Sequence, residues 1–138
     1  MRRVVVTGMG TINPIAHDLE EFEKSLKEMK IGVNRITSFD AEELPVKIAA
    51  EVNEFNPEDY MDRKLTKRLD RYSQLALVAA KQAIEMSGID LNQYSERTGV
   101  IMSSGMGGFI TLAEQNEVLR ERGPERVSPF LIPMILIN

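Results

Sequence analysis

Thr98–Ile110 reads TGVIMSSGMGGFI, and the fold turns on how this stretch is read. Val100, Ile101 and Met102 form a short apolar run of the kind that fills a strand buried in a parallel sheet. Ser103, Ser104, Gly105, Met106, Gly107 and Gly108 then break the run with small residues. Glycines around one methionine let the backbone turn sharply and approach something closely, while Met106 is left to project. Phe109 resumes the apolar pattern as a helix. A strand ending in such a turn lies where open α/β sheets place their sites, at the carboxyl ends of the strands.

Toward the amino terminus, Arg3–Thr7 (RVVVT) reads as a buried first strand. Gly8-Met9-Gly10 resembles the start of a dinucleotide fingerprint, but that motif needs a third glycine opening a helix, and Asn13-Pro14 stand here instead. A strand-end turn with close backbone packing is the preferred reading. Asp18 caps a helix, with Glu21 completing an approximate capping box. Leu19, Phe22, Leu26 and Met29 recur at helical spacing, and Gly32 suits the stop. His17, just ahead of the cap, reads as a surface or capping residue. Val46–Val52 alternates as a half-exposed strand, and Asn53–Tyr60 carries turn chemistry around Pro57.

Asp62 is placed to cap a long helix running to about Ser87, terminated by Gly88, with room for a kink or break between its halves. The second half, LALVAAKQAI, is rich in alanine, which predicts close approach to a neighbour and deep burial. In the first half Arg63, Lys64, Lys67, Arg68 and Arg71 fall within roughly 140° of arc on an ideal helix. Like charges three and four apart cost about 0.2–0.5 kcal/mol per pair, and Asp62 and Asp70 relieve only part of this. Two readings stand: an ordinary solvated face, or a docking patch for an acidic partner.

Toward the carboxyl terminus, Phe109, Leu112, Ala113 and Leu119 predict a helix with Arg120 and Arg122 near its end and Gly123-Pro124 closing it. Pro129–Ile137 (PFLIPMILI) is an uncharged apolar run that must be covered, as a buried core strand, a subunit interface or part of a truncated chain.

The 138 residues correspond to about one domain, and 43% hydrophobic with 28% charged residues is the composition of a soluble globular protein. A net charge of −4 without a basic tail argues against nucleic-acid binding. The absence of cysteine excludes disulfides, thiolate metal sites and cysteine nucleophiles within this chain, and a single histidine excludes a multi-histidine metal site. No cofactor or metal is implied. The Arg2-Arg3 start and its short apolar run do not make a signal peptide, and no window reaches the ~20 apolar residues of a membrane span. A cytoplasmic protein is expected.

VVVTGMG with Pro14, the basic helix, SSGMGG and GP–SPFLIP–N, in that order, resemble the amino-terminal third of a β-ketoacyl-acyl-carrier-protein synthase of the synthase II type. Asn13 departs from a usual serine or threonine, and Ala16 from a usual glycine. The resemblance implies the amino-terminal portion of a thiolase-like fold, a layered α/β/α/β/α architecture. Residues 1–138 would be part of its first half, with no second domain in this chain and a homodimer as the normal assembly. It implies ping-pong transfer of an acyl group from a carrier thiol to an enzyme cysteine, then attack by the carbanion formed as malonyl carrier loses carbon dioxide. The cysteine and two histidines that do this chemistry in the family belong downstream of Asn138, so no catalytic residue is assigned here.

The resemblance also assigns residues. Lys64, Lys67, Arg68 and Arg126 match positions that contact the acidic acyl carrier protein, while Glu125 occupies a place often basic. Met106 matches the gate of the acyl pocket, usually isoleucine in this type. Leu131, Ile132, Ile135 and Leu136 match a segment lining that pocket from the dimer partner. The implied ligands are acyl and malonyl thioesters. Two alternatives remain: a non-catalytic relative resembling chain-length factors, and an unrelated small α/β binding module.

Overall fold

The computed structural model describes residues 3–136. The chain is mixed α/β and divides into two compact units. The first comprises Met1–Asn56 with Val78–Ile89, and the second Pro57–Leu77 with Asp90–Asn138.

In the first unit, α1 spans Leu19–Lys27 with Asp18 as its cap, the side chain accepting from the Glu21 N–H at 2.7 Å. Glu21 reaches back to the His17 N–H at 2.7 Å, one residue earlier than a standard capping box. The helix stops sooner than Gly32: Met29 turns left-handed at φ 54°, and the Lys30 N–H returns to the Ser25 carbonyl. Gly32 serves close approach instead, since a Cβ there would meet Ile15 and Pro14 at 2.8 and 2.9 Å. Leu26 and Met29 are exposed, so only part of the expected apolar stripe is covered.

Strands β1 (Asn34–Arg35) and β2 (Ile48–Ala49) pair antiparallel, Asn34 opposite Ala49 and Arg35 opposite Ile48. The strand expected over Val46–Val52 is thus confined to two residues. Arg3–Thr7 and Val100–Met102 form no strand, because no described residue supplies a hydrogen-bonding neighbour. Their side chains are bare, Val4 being 95% and Ile101 97% exposed.

The helix expected from Asp62 to Ser87 is broken. A short α2, Arg63–Thr66, is followed by a turn and then by α3, Arg71–Ser87, which contributes Val78–Ser87 to the first unit. Gly88, at φ 64°, terminates α3. In the first unit Gly8 and Gly10 lie against α3: a Cβ on either would fall 2.0 Å from the carbonyl oxygen of Ala83 or Ala79. Gln82 fastens the same loop, accepting from the Thr11 N–H at 2.9 Å and donating to the His17 carbonyl at 2.7 Å. Gly8-Met9-Gly10 is therefore a packing turn. Within the alanine-rich stretch only Val78 is buried, against the deep burial expected, because the glycine loop covers one side.

In the second unit, α4 (Leu91–Tyr94) is capped by Asp90. Then α5 spans Phe109–Arg122, and Gly123, at φ 82°, ends it. The apolar run after Pro129 forms a short helix, α6 (Leu131–Ile135), rather than a core strand. Ile137 and Asn138 lie outside the described residues.

Candidate functional site

Every site residue assigned from the sequence lies in the second unit. Asp62 starts the basic segment, its carboxylate accepting from the Lys64 and Leu65 N–H groups at 2.9 and 3.0 Å. Arg63 pairs with Glu58 at 3.7 Å. Lys64, Lys67 and Arg68 are exposed, and among the described residues none of them joins an ion pair. They follow one another through a helix and a turn rather than along one continuous face, because α2 ends at Thr66. The turn is held from beneath. Buried Gln74 donates to the Thr66 and Leu69 carbonyls, both at 3.0 Å, satisfying groups left open at the end of α2. Arg71, the fifth cation, is half-buried, and that burial pushes its guanidinium down from the usual arginine value. Arg126 is exposed on a single 3-10 turn, Pro124–Arg126, that follows α5.

Asp70 closes this segment and joins it to α5. It is 5% exposed, and Oδ2 accepts from the Thr111 N–H at 3.1 Å and the Thr111 hydroxyl at 2.6 Å. Its Oδ1 accepts from the Tyr72 N–H at 3.2 Å, at the start of α3. One carboxylate thus serves the amino-terminal turns of two helices, where a negative charge is favoured.

The turn bearing Met106 leads into α5. The Gly107 N–H donates to the Ser104 hydroxyl at 3.0 Å, and Gly107 is left-handed at φ 62°. Met106 projects from it, 70% exposed. Gly108 makes the close contact: its N–H donates to the Ile135 carbonyl at 3.2 Å, and a Cβ would lie 2.7 Å from both Ile135 Cα and the Met134 oxygen. In α6 Leu131 and Ile135 are half-buried, while Ile132, and Leu136 just beyond it, are exposed. The Tyr72 hydroxyl donates to the Leu136 carbonyl, and the Arg68 guanidinium lies over the Phe130 ring, 4.8 Å from its centroid.

The structure therefore links Lys64, Lys67 and Arg68 to α6 through Phe130, Asp70, Gly108 and Tyr72. None of these linking residues was assigned to the site from the sequence. Gly108 lay in the glycine turn expected to approach something closely, whereas Asp70 stood inside the expected helix as a partial counter-charge. The arrangement combines an exposed cationic surface with an apolar helix. His17, in the other unit, lies edge-on to Phe55 and has Nε2 3.2 Å from the Asn53 carbonyl. No group of three histidine, aspartate or glutamate side chains among the described residues could hold a metal ion. No helix among them is long and apolar enough to cross a membrane.

Comparison with known proteins shows the family. Residues 1–138 match the family model for the β-ketoacyl synthase N-terminal domain. The chain is 41% identical over 137 residues to the 3-oxoacyl-[acyl-carrier-protein] synthase 2 of Staphylococcus aureus (strain COL), covering 98% of this chain and 33% of that one. It is 38% identical over 138 residues to the Synechocystis protein of the same name, covering 99% and 33%. Among solved structures, the ishigamide ketosynthase/chain length factor superposes with a TM-score of 0.82 at 31% identity, covering 98% of this chain and 34% of the other. A type II polyketide ketosynthase in complex with its acyl-carrier protein superposes at 0.78 with 20% identity, covering 99% and 35%, a likeness of fold alone. The chain spans about a third of the length of these relatives. An unrelated binding module is thereby set aside. Its fold is the partial, mixed α/β portion of a thiolase-like fold, and the chain belongs to the β-ketoacyl synthase family, to which it contributes the N-terminal domain.

Proposed function

We propose that this chain is the carrier-docking and acyl-pocket portion of a 3-oxoacyl-[acyl-carrier-protein] synthase acting in fatty-acid elongation. The enzyme would be cytoplasmic and homodimeric, and residues 1–138 would form part of its first thiolase-like half. In the reaction, an acyl group passes from a carrier thioester to an enzyme cysteine outside this chain. Malonyl carrier loses carbon dioxide, and the resulting carbanion displaces the cysteine thiolate to form the 3-oxoacyl product. Lys64, Lys67 and Arg68, with Arg126, meet the acidic carrier. Met106 gates the acyl chain, and Leu131, Ile132, Ile135 and Leu136 line its pocket.

The single observation that carries this reading is the exposed, unpaired trio Lys64, Lys67 and Arg68 on an anchored turn of a chain whose net charge is −4. An ordinary solvated face would gain from interspersed acids; this one leaves its cations for a partner. Reversing all three charges in the intact protein is expected to weaken acyl carrier protein binding by about tenfold or more, and added salt should weaken the wild type in the same direction. Unchanged affinity would return the patch to ordinary solvation.

The likeness to a ketosynthase/chain length factor favours a second reading, a non-catalytic partner subunit. The residue at the nucleophile position of the intact protein separates the two: cysteine for the synthase, another residue for the subunit.

A further inference from the structure

We infer that Phe130 is a positioning residue for carrier docking, holding the Arg68 guanidinium over its ring while the N–H donors stay open to a carboxylate or phosphate of the carrier. The inference rests on the proposed docking role of Arg68 and adds to it a residue that contributes no charge.

A guanidinium has two kinds of surface. Its face stacks on aromatic rings, while its edge carries the N–H donors that grip a carboxylate or phosphate in bidentate fashion. In this structure the Arg68 Cζ lies over the Phe130 ring, 4.8 Å from its centroid, so the ring supports the guanidinium from one side. Among the described residues the guanidinium makes no ion pair or hydrogen bond, so the edge is unused. Both side chains are exposed and open to a docking partner. Among the described residues Lys64 and Lys67 have no comparable ring beside them, and an ammonium is a compact point charge without a planar fork.

The platform is itself rigidly held. Phe130 immediately precedes α6, and its N–H donates to the Ser128 hydroxyl at 3.2 Å. The Ser128 N–H in turn donates to Gln115 on α5 at 2.7 Å. At the other end of α6 the Tyr72 hydroxyl binds the Leu136 carbonyl. Residues 68 and 72 thus grip both ends of the apolar helix, so the cation that meets the carrier and the wall proposed to meet the acyl chain are set by one segment. A side chain fixed in its binding geometry loses less entropy on docking.

The test measures binding of acyl carrier protein to the intact protein in a double-mutant cycle of Phe130→Leu and Arg68→Gln, with Phe130→Tyr as the variant that retains the ring. Phe130→Leu is expected to weaken binding about two- to fivefold, the scale of an exposed cation–π contact, and to leave the salt dependence unchanged because no charge is altered. Phe130→Tyr should match the wild type. On the Arg68→Gln background Phe130→Leu should have no further effect. Phe130→Met, which keeps bulk without a ring face, replaces Phe130→Leu if that variant does not fold. An equal loss on both backgrounds, or no loss in the wild-type background, overturns the inference while leaving the docking role intact. If Arg68→Gln itself leaves affinity unchanged, the docking role of Arg68 fails and the inference with it.

Discussion

Asp70 sits among cations in the sequence but is buried in the structure, and what it holds decides its cost of removal. Its carboxylate accepts from two backbone N–H groups and one hydroxyl, two of these bonds spanning 41 residues to Thr111. Asp70→Ala would leave the Thr111 N–H and hydroxyl buried without an acceptor, and is expected to destabilise the intact protein by about 2–3 kcal/mol in denaturant unfolding. Asp70→Asn keeps an acceptor oxygen and should lose less. Equal losses for the two would show that charge, not hydrogen-bond capacity, is what the site requires. The capping half of this role was hidden, because the helix expected from Asp62 to Ser87 ran through Asp70 and left no cap position there. The Thr111 half was hidden too, since nothing local marks two residues so far apart as neighbours.

Among the elements, the connection from β1 to β2 shows how one carboxylate can gather a loop. Glu51 gathers the Thr37 N–H and hydroxyl, both at 2.8 Å, together with the Ser38 N–H and hydroxyl. These bonds, the Ser38 hydroxyl first, hold the Glu51 carboxyl down from 4.5 to about 2. A carboxylate depressed on folding contributes stability that is complete above its unfolded value and is lost as pH falls through the folded one. Ordering around Thr37 and Ser38 is therefore expected to persist above pH 4.5 and to fade toward pH 2, followed by the amide chemical shifts of both residues. Glu51→Gln should abolish the pH dependence in that window; a wild-type midpoint near 4.5 would mean that the carboxyl makes no such bonds. The break between α2 and α3 belongs to this scale too. Helical spacing placed five cations on one continuous face, but Gln74 and Asp70 satisfy a turn instead, and the cations follow that turn.

At the scale of the chain, Val4, Val5, Val6, Val100 and Ile101 are each more than half exposed. Uncovered apolar surface of this kind drives association. The 138-residue polypeptide expressed alone is accordingly expected to aggregate or to melt without cooperativity, and a sharp calorimetric transition with monomeric sedimentation would contradict this. Helix caps and stops at Asp18, Asp62, Gly88 and Gly123 were readable in the sequence because they depend on one residue and its immediate neighbours. So was the close packing at Gly8 and Gly10, where a side chain has no room. The ordered set of motifs also carried the family, by resemblance. Tertiary structure alone decided that RVVVT and VIM find no strand partner among the described residues, that α6 is a helix, and that Arg68 rests on Phe130. The reason is physical: a cap is satisfied within one turn of chain, whereas a strand exists only if another segment offers its hydrogen bonds, and a cation–π contact only if folding brings a ring beneath the cation.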